Sequence, residues 1–422
     1  MKIKLFLLYF LFFSSAAFAQ QYSMREMLLD TNRAAVGIHS NFSANSSVIT
    51  NRFFFKLFSG GHISDSDIDK MTNRGNIINN LGFEFNTSIH AAFDINHLLG
   101  KPTDSLQLFF RLSDRQFANA RLSDDMVQFV LNGNKQYAGE EANFDHFNLQ
   151  FVRFQQLQLG LMHQLKSGHQ YGFAVSAING EQNLIMQTDR FRVFTEIDGN
   201  SISASTNDLE IYQTDTNNTG FGKTNGLGAT IDLFYRHQLK SKKEGRKAYL
   251  EFEVQDLGFV QWNNQSIHYD IDTTYVFEGI YIEDLFDLND SILSASNPDT
   301  IIDDFKGDAK RESYTYWFPV KLMAQFHLEK DNGWFYTIGG MYRLRANMLP
   351  YIYGQYGKQI NEHIRLAGTL GAGGYGTFNI GAEAQFNWPW LEIALASNNL
   401  EGLALPMYFG GTNLYLSLRK RF

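Results

Sequence analysis

The chain contains no cysteine, and proline occurs only six times in 422 residues. Without disulfides, a secreted chain of this length must be held together by its core or by a closed sheet. Few prolines beside 15% aromatics, with 38 Phe and 20 Tyr, make a strand-forming composition. Beyond residue 19 no apolar run approaches the roughly 20 residues that a membrane helix needs. If the remaining chain sits in a membrane, it does so as a barrel. Clustered basic residues are missing too. The formal charge is −8, and without Lys2 and Lys4 the basic count falls from 36 to 34 against 44 acids, giving −10. That balance excludes nucleic acid as a partner, since phosphate binding needs grouped Lys and Arg.

What is present begins with a targeting segment. "MKIKLFLLYFLFFSSAAFAQ" opens with Lys2 and Lys4, continues with an apolar run from Leu5 to Phe13, and ends in Ala17-Phe18-Ala19. This is the order of a secretory signal peptide, too short to span as a helix. Residues 1–19 are expected to be the signal peptide and 20–422 a single barrel domain. No Cys follows the cleavage site, so a lipoprotein is excluded.

Period-two alternation fills the rest. Phe83, Phe85, Ile89, Ala91 and Phe93 share one face, against Glu84, Asn86, Ser88, His90 and Asp94. The same split sets Leu106 to Leu112 against Gln107, Arg111 and Ser113, and Leu227 to Tyr235 against Thr230, Asp232 and Arg236. Ala248 to Val254 oppose Glu251, Glu253 and Gln255; Phe318 to Leu328 oppose Lys321, Gln325, His327 and Glu329; Phe378 to Phe386 oppose Asn379, Glu383 and Gln385. Runs of about 9 to 13 residues match tilted membrane strands, whereas soluble sandwich strands are nearer 5 or 6. The hairpin turns "EKDNG" (Glu329 to Gly333) and "KSGHQ" (Lys166 to Gln170) link strong pairs. The expected fold is all-β, a transmembrane antiparallel barrel of about 14 strands (roughly 12 to 18) with short helical inserts in loops.

Three stretches depart from the alternation. Ser64 to Asn80 is polar and unlike a strand. Ser123 to Asn134 predicts a short helix with Ser123 as N-cap, Gly133 as stop, and an apolar side of Met126, Val127, Val130 and Leu131. That side predicts packing into or over the barrel mouth, where the helix restricts the lumen. Gly279 to Ser313 is acidic and predicts a long loop. The chain ends in Leu414, Leu416, Leu418 and the aromatic Phe422, a strand alternation running to the last residue and a candidate membrane-insertion signal.

Chemistry-bearing patterns are weak. Asp65, Asp67 and Asp69 open like a calcium loop, but Lys70 and Asn76 stand where Gly and Glu are required. They are expected to be solvated loop carboxylates. "GAGGYG" (Gly371 to Gly376) lies between strong strands and predicts a turn or kink. His90, His163, His169, His237, His268 and His327 fall in no H-x-x-x-H spacing, and no G-x-S-x-G occurs, so neither metal, cofactor nor catalytic residue is expected. The five tryptophans, Trp262, Trp317, Trp334, Trp388 and Trp390, suit interfacial girdles. On the polar faces, Glu84, Arg111, Asp232, Arg236, Glu251, Glu253, Lys321 and Glu383 are candidate lumen-lining residues. On the lipid face each would cost about 2 to 4 kcal/mol or less, depending on depth and sign.

"VQDLGFVQWNN" (Val254 to Asn264), "VLNGNKQYAGE" (Val130 to Glu140), "VFEGIYIEDL" (Val276 to Leu285) and the closing "PMYFGGTNLYLSLRKRF" resemble an uncharacterised family of Bacteroidota outer-membrane barrels. That family is similar in architecture to FadL-like long-chain fatty acid channels and the PorV type. One departure is Lys420, which interrupts the alternate apolar positions counted back from the final aromatic. The resemblance implies the cell outer membrane and a barrel fold but no known reaction or substrate; the expected function is a transport channel, FadL-like and for a hydrophobic solute by that resemblance. Outer-membrane lipids, the barrel-assembly machinery, and a solute or a secretion-system partner are the expected associates. The alternatives are a structural or docking partner of an outer-membrane secretion or surface-protein assembly and, with less support, an outer-membrane hydrolase. The acidic Gly279 to Ser313 segment motivates the docking alternative.

Overall fold

The computed structural model describes residues 23–29, 34–72, 78–96, 105–240, 243–277 and 309–422. The expected signal peptide and most of the acidic Gly279 to Ser313 segment lie outside these residues. The chain forms a closed antiparallel barrel of 14 strands. In chain order these are β1 (Ala34–Ser46), β2 (Ile78–Asp94), β3 (Ser105–Ser123), β4 (Asn148–Gln164), β5 (Gln170–Gln187), β6 (Gly226–Leu239) and β7 (Arg246–Trp262). There follow β8 (Lys321–Lys330), β9 (Trp334–Arg343), β10 (Leu349–Gln359), β11 (Ile364–Gly374), β12 (Phe378–Asn387), β13 (Leu391–Ser397) and β14 (Gly410–Arg421). Each strand pairs with its successor, and β1 pairs with β14 from Ala35↔Arg421 to Ser46↔Gly410, so the sheet has no open wall edge.

The two rims differ. At the rim holding Ala34 and Arg421, here the terminal rim, strands join through short turns such as Lys166–His169 and Asp331–Gly333. Gly168 and Gly333 supply left-handed φ values of 85° and 84° at these turns. At the far rim the connections grow. Strands Glu141–Asn143, Arg190–Thr195, Ile202–Gln213, Ile267–Phe277 and Lys310–Arg311 extend the sheet beyond the barrel. "GAGGYG" is a hairpin turn, with Gly373 and Gly374 at positive φ.

The alternation faces the expected ways. Ile89, Leu112, Leu159, Leu233, Phe252, Leu370 and Leu418 are exposed on the outside, while their polar neighbours are buried inside. Two positions depart. Phe318, read as the first residue of an outward run, is buried in an inner aromatic cluster. Pro319 cannot donate to the ladder, so the strand Thr315–Trp317 breaks from β8 there and the side-chain parity resets. Trp262 is fully buried inside the barrel and is no girdle residue. A bulge between Val254 and Leu257 shifts its strand by one position. Trp317 and Trp390 remain exposed.

The far-rim helices are α1 (Asn51–Ser59), α2 (Asp65–Thr72), α3 (Asp124–Asn132) and α4 (Leu400–Ala404). Helix α3 occupies the expected stretch, with the Ser123 side chain accepting from the Met126 N–H and Gly133 ending it. Its apolar side is wider than read. Val127 and Leu131 pack with Val48, Phe53 and Met71, whereas Met126 and Phe129 pack with Tyr137, Phe144 and Val193. Val130 is 74% exposed and belongs to neither cluster.

The Ser64 to Asn80 stretch holds α2 and the start of β2, and Asp67 is buried instead of solvated. Asp67 takes a 2.6 Å bond from Lys56 Nζ and another from Ser64 Oγ, with Arg52 Nε at 3.0 Å. These bonds from Lys56 and Ser64 hold its carboxyl well below the usual carboxylate range. A depressed carboxyl stabilises above its unfolded value near pH 4, and that contribution fades as pH falls through the folded value. Asp67→Asn is expected to loosen the α1–α2 pair by about 1–3 kcal/mol, read as faster amide exchange in residues 51–72 with the barrel strands unaltered.

Candidate functional site

The lumen is built in layers, and the inward parity of each strand decides which side chain enters which layer. Nearest the terminal rim, residues Ser23–Leu29 fold into the barrel as a plug with one 3-10 turn, Met24–Met27. Met24 and Met27 are fully buried among Ala35, Ala92, Phe109, Met162, Ala174 and Phe234. Polar contacts fix the plug from several strands. Glu253 accepts from Ser23 Oγ at 2.7 Å and from the Met24 N–H at 2.8 Å. Glu251 pairs with Arg25 at 3.3 Å and Arg236 at 2.8 Å, and accepts from Gln325. Gln107 accepts from the Leu29 N–H and donates to its carbonyl, both at 2.8 Å.

Above the plug, a belt of charges crosses the lumen. Arg115 on β3 donates twice to Asp256 on β7, at 2.5 and 2.8 Å. Arg343 on β9 reaches Glu84 on β2 at 2.8 Å and Asp256 at 3.8 Å. Arg111 lies 3.8 Å from Asp232, which also accepts from Gln158 and from the Asp256 N–H. The void left here is about 10 Å³, room for about one water. Asp256 enters the belt through the β7 bulge: it has φ 62°, and it and Gln255 are consecutive residues that are both buried. Above the belt, Phe117, Val152, Phe154, Ile178, Val260, Trp262, Tyr316 and Phe318 form an apolar layer.

Two cavities flank these closures. One of about 300 Å³ lies at the far rim, walled by Tyr212, Tyr314, Tyr316 and Trp317 with Ile185, Glu210 and Arg345. The other, about 550 Å³, lies beside the plug toward the terminal rim, between it and β8–β14. Its walls are polar, including Gln325, Thr337, Tyr353, Gln355, Arg365 and Glu383.

All eight candidate lumen residues point inward, in three groups. Glu84, Arg111, Asp232 and Lys321 gather around the small mid-lumen void. Arg236, Glu251 and Glu253 stand at the plug, and the Arg236 guanidinium stacks 3.5 Å from the Tyr249 ring centroid. Glu383 stands apart in the larger cavity, accepting from Gln355 and Gln385 at 2.8 and 2.7 Å. Arg115, Asp256, Arg343 and Arg25 were not read from the sequence. Arg115 continues the inward parity of Gln107, Arg111 and Ser113, so the signal for it was present. Leu416 and Leu418 are exposed on the outer face, and the Phe422 N–H donates to the Ala34 carbonyl at 2.9 Å.

Ser88 and His39 do meet across strands, with Oγ 2.9 Å from Nδ1 and Asn86 3.4 Å from Nε2. All three are buried, and the void reaching Asn86 holds about one water. A nucleophile needs room for an acyl group beside it. This arrangement offers none and reads as wall packing.

The site thus sits in a closed sheet with an apolar outside, a polar layered inside and long connections at one rim. The chain belongs to the family of unknown function DUF5723, whose profile matches residues 29–398. No curated protein sequence matches it. Among solved structures it is similar to a deltaS2S3 mutant of the monoaromatic hydrocarbon channel TodX, at 8% identity and TM-score 0.46 over 93% of this chain and 91% of that one. It is also similar to the Pseudomonas putida toluene transporter TodX, at 6% identity and TM-score 0.39 over 96% and 94% of the two chains. The translocator domain of the autotransporter NalP from Neisseria meningitidis gives 7% identity and TM-score 0.38 over 94% and 91%.

Proposed function

We propose that the chain is an outer-membrane channel held closed by the charged belt, with the Ser23–Leu29 plug narrowing the lumen on its terminal side. The observation behind this reading is the pair of cavities on either side of the belt, one at each rim. A purely structural barrel has no need of them. The apolar outer belt supports the membrane location, because each outward Leu or Phe is stabilised in hydrocarbon. The short-turn rim then faces the periplasm and the long-loop rim the exterior, on the general plan of such barrels. The tyrosine-walled far-rim cavity, with an apolar layer beneath it, favours a solute with an apolar body on the outer side. This is the hydrophobic-solute reading that the family resemblance implies.

A docking role is the second reading, and the sheet extension beyond the far rim is the observation that favours it. Fractionation and gel migration test the location. The chain is expected in the outer-membrane fraction, heat-modifiable, with cleavage before Gln20. Recovery as a soluble periplasmic protein would sink the channel and the docking readings together. Leu414, Leu416, Leu418 and Phe422 serve here as the insertion signal. Replacing Phe422 with Ser is expected to slow assembly in vivo while leaving refolding in detergent intact.

A further inference from the structure

We propose that the cavity of about 550 Å³ beside the plug binds a small dianion through its carboxylate or phosphate oxygens, held between two pairs of arginines. Its volume falls within the range of small-molecule sites, about 300–1,000 Å³. It reaches the terminal rim, since its wall includes the exposed Glu362 beside Gln359 and Asn387.

Five guanidiniums line this cavity, those of Arg25, Arg236, Arg365, Arg419 and Arg421. Their carboxylate partners are fewer. Arg25 and Arg236 share Glu251, at 3.3 and 2.8 Å, and Arg419 and Arg421 share Glu392. Each trio therefore keeps one uncompensated positive charge. Arg365 stands 3.9 Å from Glu329, and Glu383 sits opposite Ala367 on the strand that carries Arg365. The two Glu383 oxygens accept from the Gln355 and Gln385 amides. Glu362 is 85% exposed at the rim and 3.5 Å from His363, where water screens it. Inside the barrel the balance is five arginines against Glu251, Glu329, Glu383 and Glu392, with the excess confined to the two trios. A cleft with such an excess between low-dielectric walls concentrates ions of the opposite sign.

The plug turn holds the trios close together. The Leu28 N–H bonds to the Arg25 carbonyl at 3.0 Å, and the Leu28 carbonyl accepts from Arg419 at 3.2 Å. One 3-10 turn, about 6 Å of rise, thus separates the two attachments. A guanidinium carries five N–H donors. The side chains of Arg25 and Arg421 each donate one hydrogen bond among the described residues, to Glu251 and Glu392, and both are partly exposed. Donors left over in a planar fork suit the paired oxygens of a carboxylate or phosphate. A dianion between the trios matches both uncompensated charges, whereas a monoanion leaves one. The belt, with room for about one water, remains the narrowest section of the lumen and is separate from this site.

The test is isothermal titration of the full chain in uncharged detergent micelles at low salt with succinate and inorganic phosphate, alongside acetate, glucose and tetramethylammonium. Saturable binding of succinate, phosphate or both is expected, about tenfold or more tighter than acetate and weakening as salt is raised. A preference for succinate assigns a carboxylate solute and a preference for phosphate a phosphorylated one; either supports the proposal. Arg25→Gln and Arg421→Gln are each expected to weaken binding about ten- to a hundredfold, the worth of a charged hydrogen bond. Each substitution leaves the shared carboxylate one arginine, so neither strands a buried charge, and heat-modifiable migration confirms that both variants fold. Absence of dianion binding, unchanged affinity in either variant, or acetate, glucose or tetramethylammonium binding as tightly as the dianions would overturn the proposal. Titration reads equilibrium binding without flux, so a barrel that is silent in bilayers would sink the channel reading and leave this result standing.

Discussion

A chain carrying Arg115→Ala with Arg343→Ala is expected to conduct in planar bilayers, more so when residues 23–29 are also removed, whereas removal of residues 23–29 alone leaves it nearly silent. The belt crosses the lumen, whereas the plug leaves a cavity of about 550 Å³ beside it toward the terminal rim. Removing the plug exposes the terminal side of a belt that still has space for about one water. Removing the two arginines opens the belt onto Met24 and Met27, which remain packed against Phe109 and Met162. It also joins the belt to the cavity beside the plug, and the combined change widens that path. The freed carboxylates of Glu84 and Asp256 then line it in a weakly screened interior, so the current should prefer cations. The same reasoning revises the role of Glu251 and Glu253. They hold the plug, so Glu251→Gln with Glu253→Gln is expected to loosen residues 23–29 to protease while the belt keeps the current low. Conductance from plug removal alone would show that the belt does not seal the lumen.

The second large effect falls on stability. Arg115→Ala leaves Asp256 buried without its bidentate partner, and loss of one member of a buried pair costs about 3–5 kcal/mol. The midpoint of denaturant-induced unfolding in micelles should drop accordingly, and the folded-to-unfolded ratio should fall by a factor of roughly 10² to 10⁴. Replacing both residues together, Arg115→Met with Asp256→Leu, is expected to restore most of the loss, because apolar side chains of similar volume avoid the desolvation cost. A double variant as unstable as the single one would mean that Arg343 and Asp232 depend on Asp256 more than Arg115 does.

The wall was legible because an apolar outside and a polar lumen impose opposite chemistry on successive residues, and a period of two survives in one sequence. Glu84, Asp232 and Glu383 were assigned to the inside on that ground alone. Parity gives a face, but it does not give height or bearing around the barrel. The contact of Arg115 with Asp256 therefore could not be read, the two being separated by 141 positions. Parity also fails where the backbone slips: the β7 bulge turned Trp262 inward, and Pro319 reset Phe318. The plug escaped notice for a different reason. Ser23–Leu29 is too short to show a period, and its place is set by Glu251, Glu253 and Gln107, which lie far along the chain. The Ser123 cap was readable because capping is local chemistry, whereas the exposure of Val130 depends on which loop covers α3.

The contacts of the plug also constrain the order of assembly. Met24 bonds to Glu253 across 229 positions, and the Leu28 carbonyl accepts from Arg419 across 391. The first of these contacts has to wait for β7, and the second for the strand that closes the wall against β1. Contacts of such long sequence separation form slowly, since loop closure precedes any gain from them. A truncated chain without β14 therefore loses two things together: the seam that removes the free edges and one of the anchors of the plug. Such fragments would offer unpaired edges to one another and to quality-control proteases. The seam that closes the wall and one anchor of the plug therefore depend on the same strand, β14.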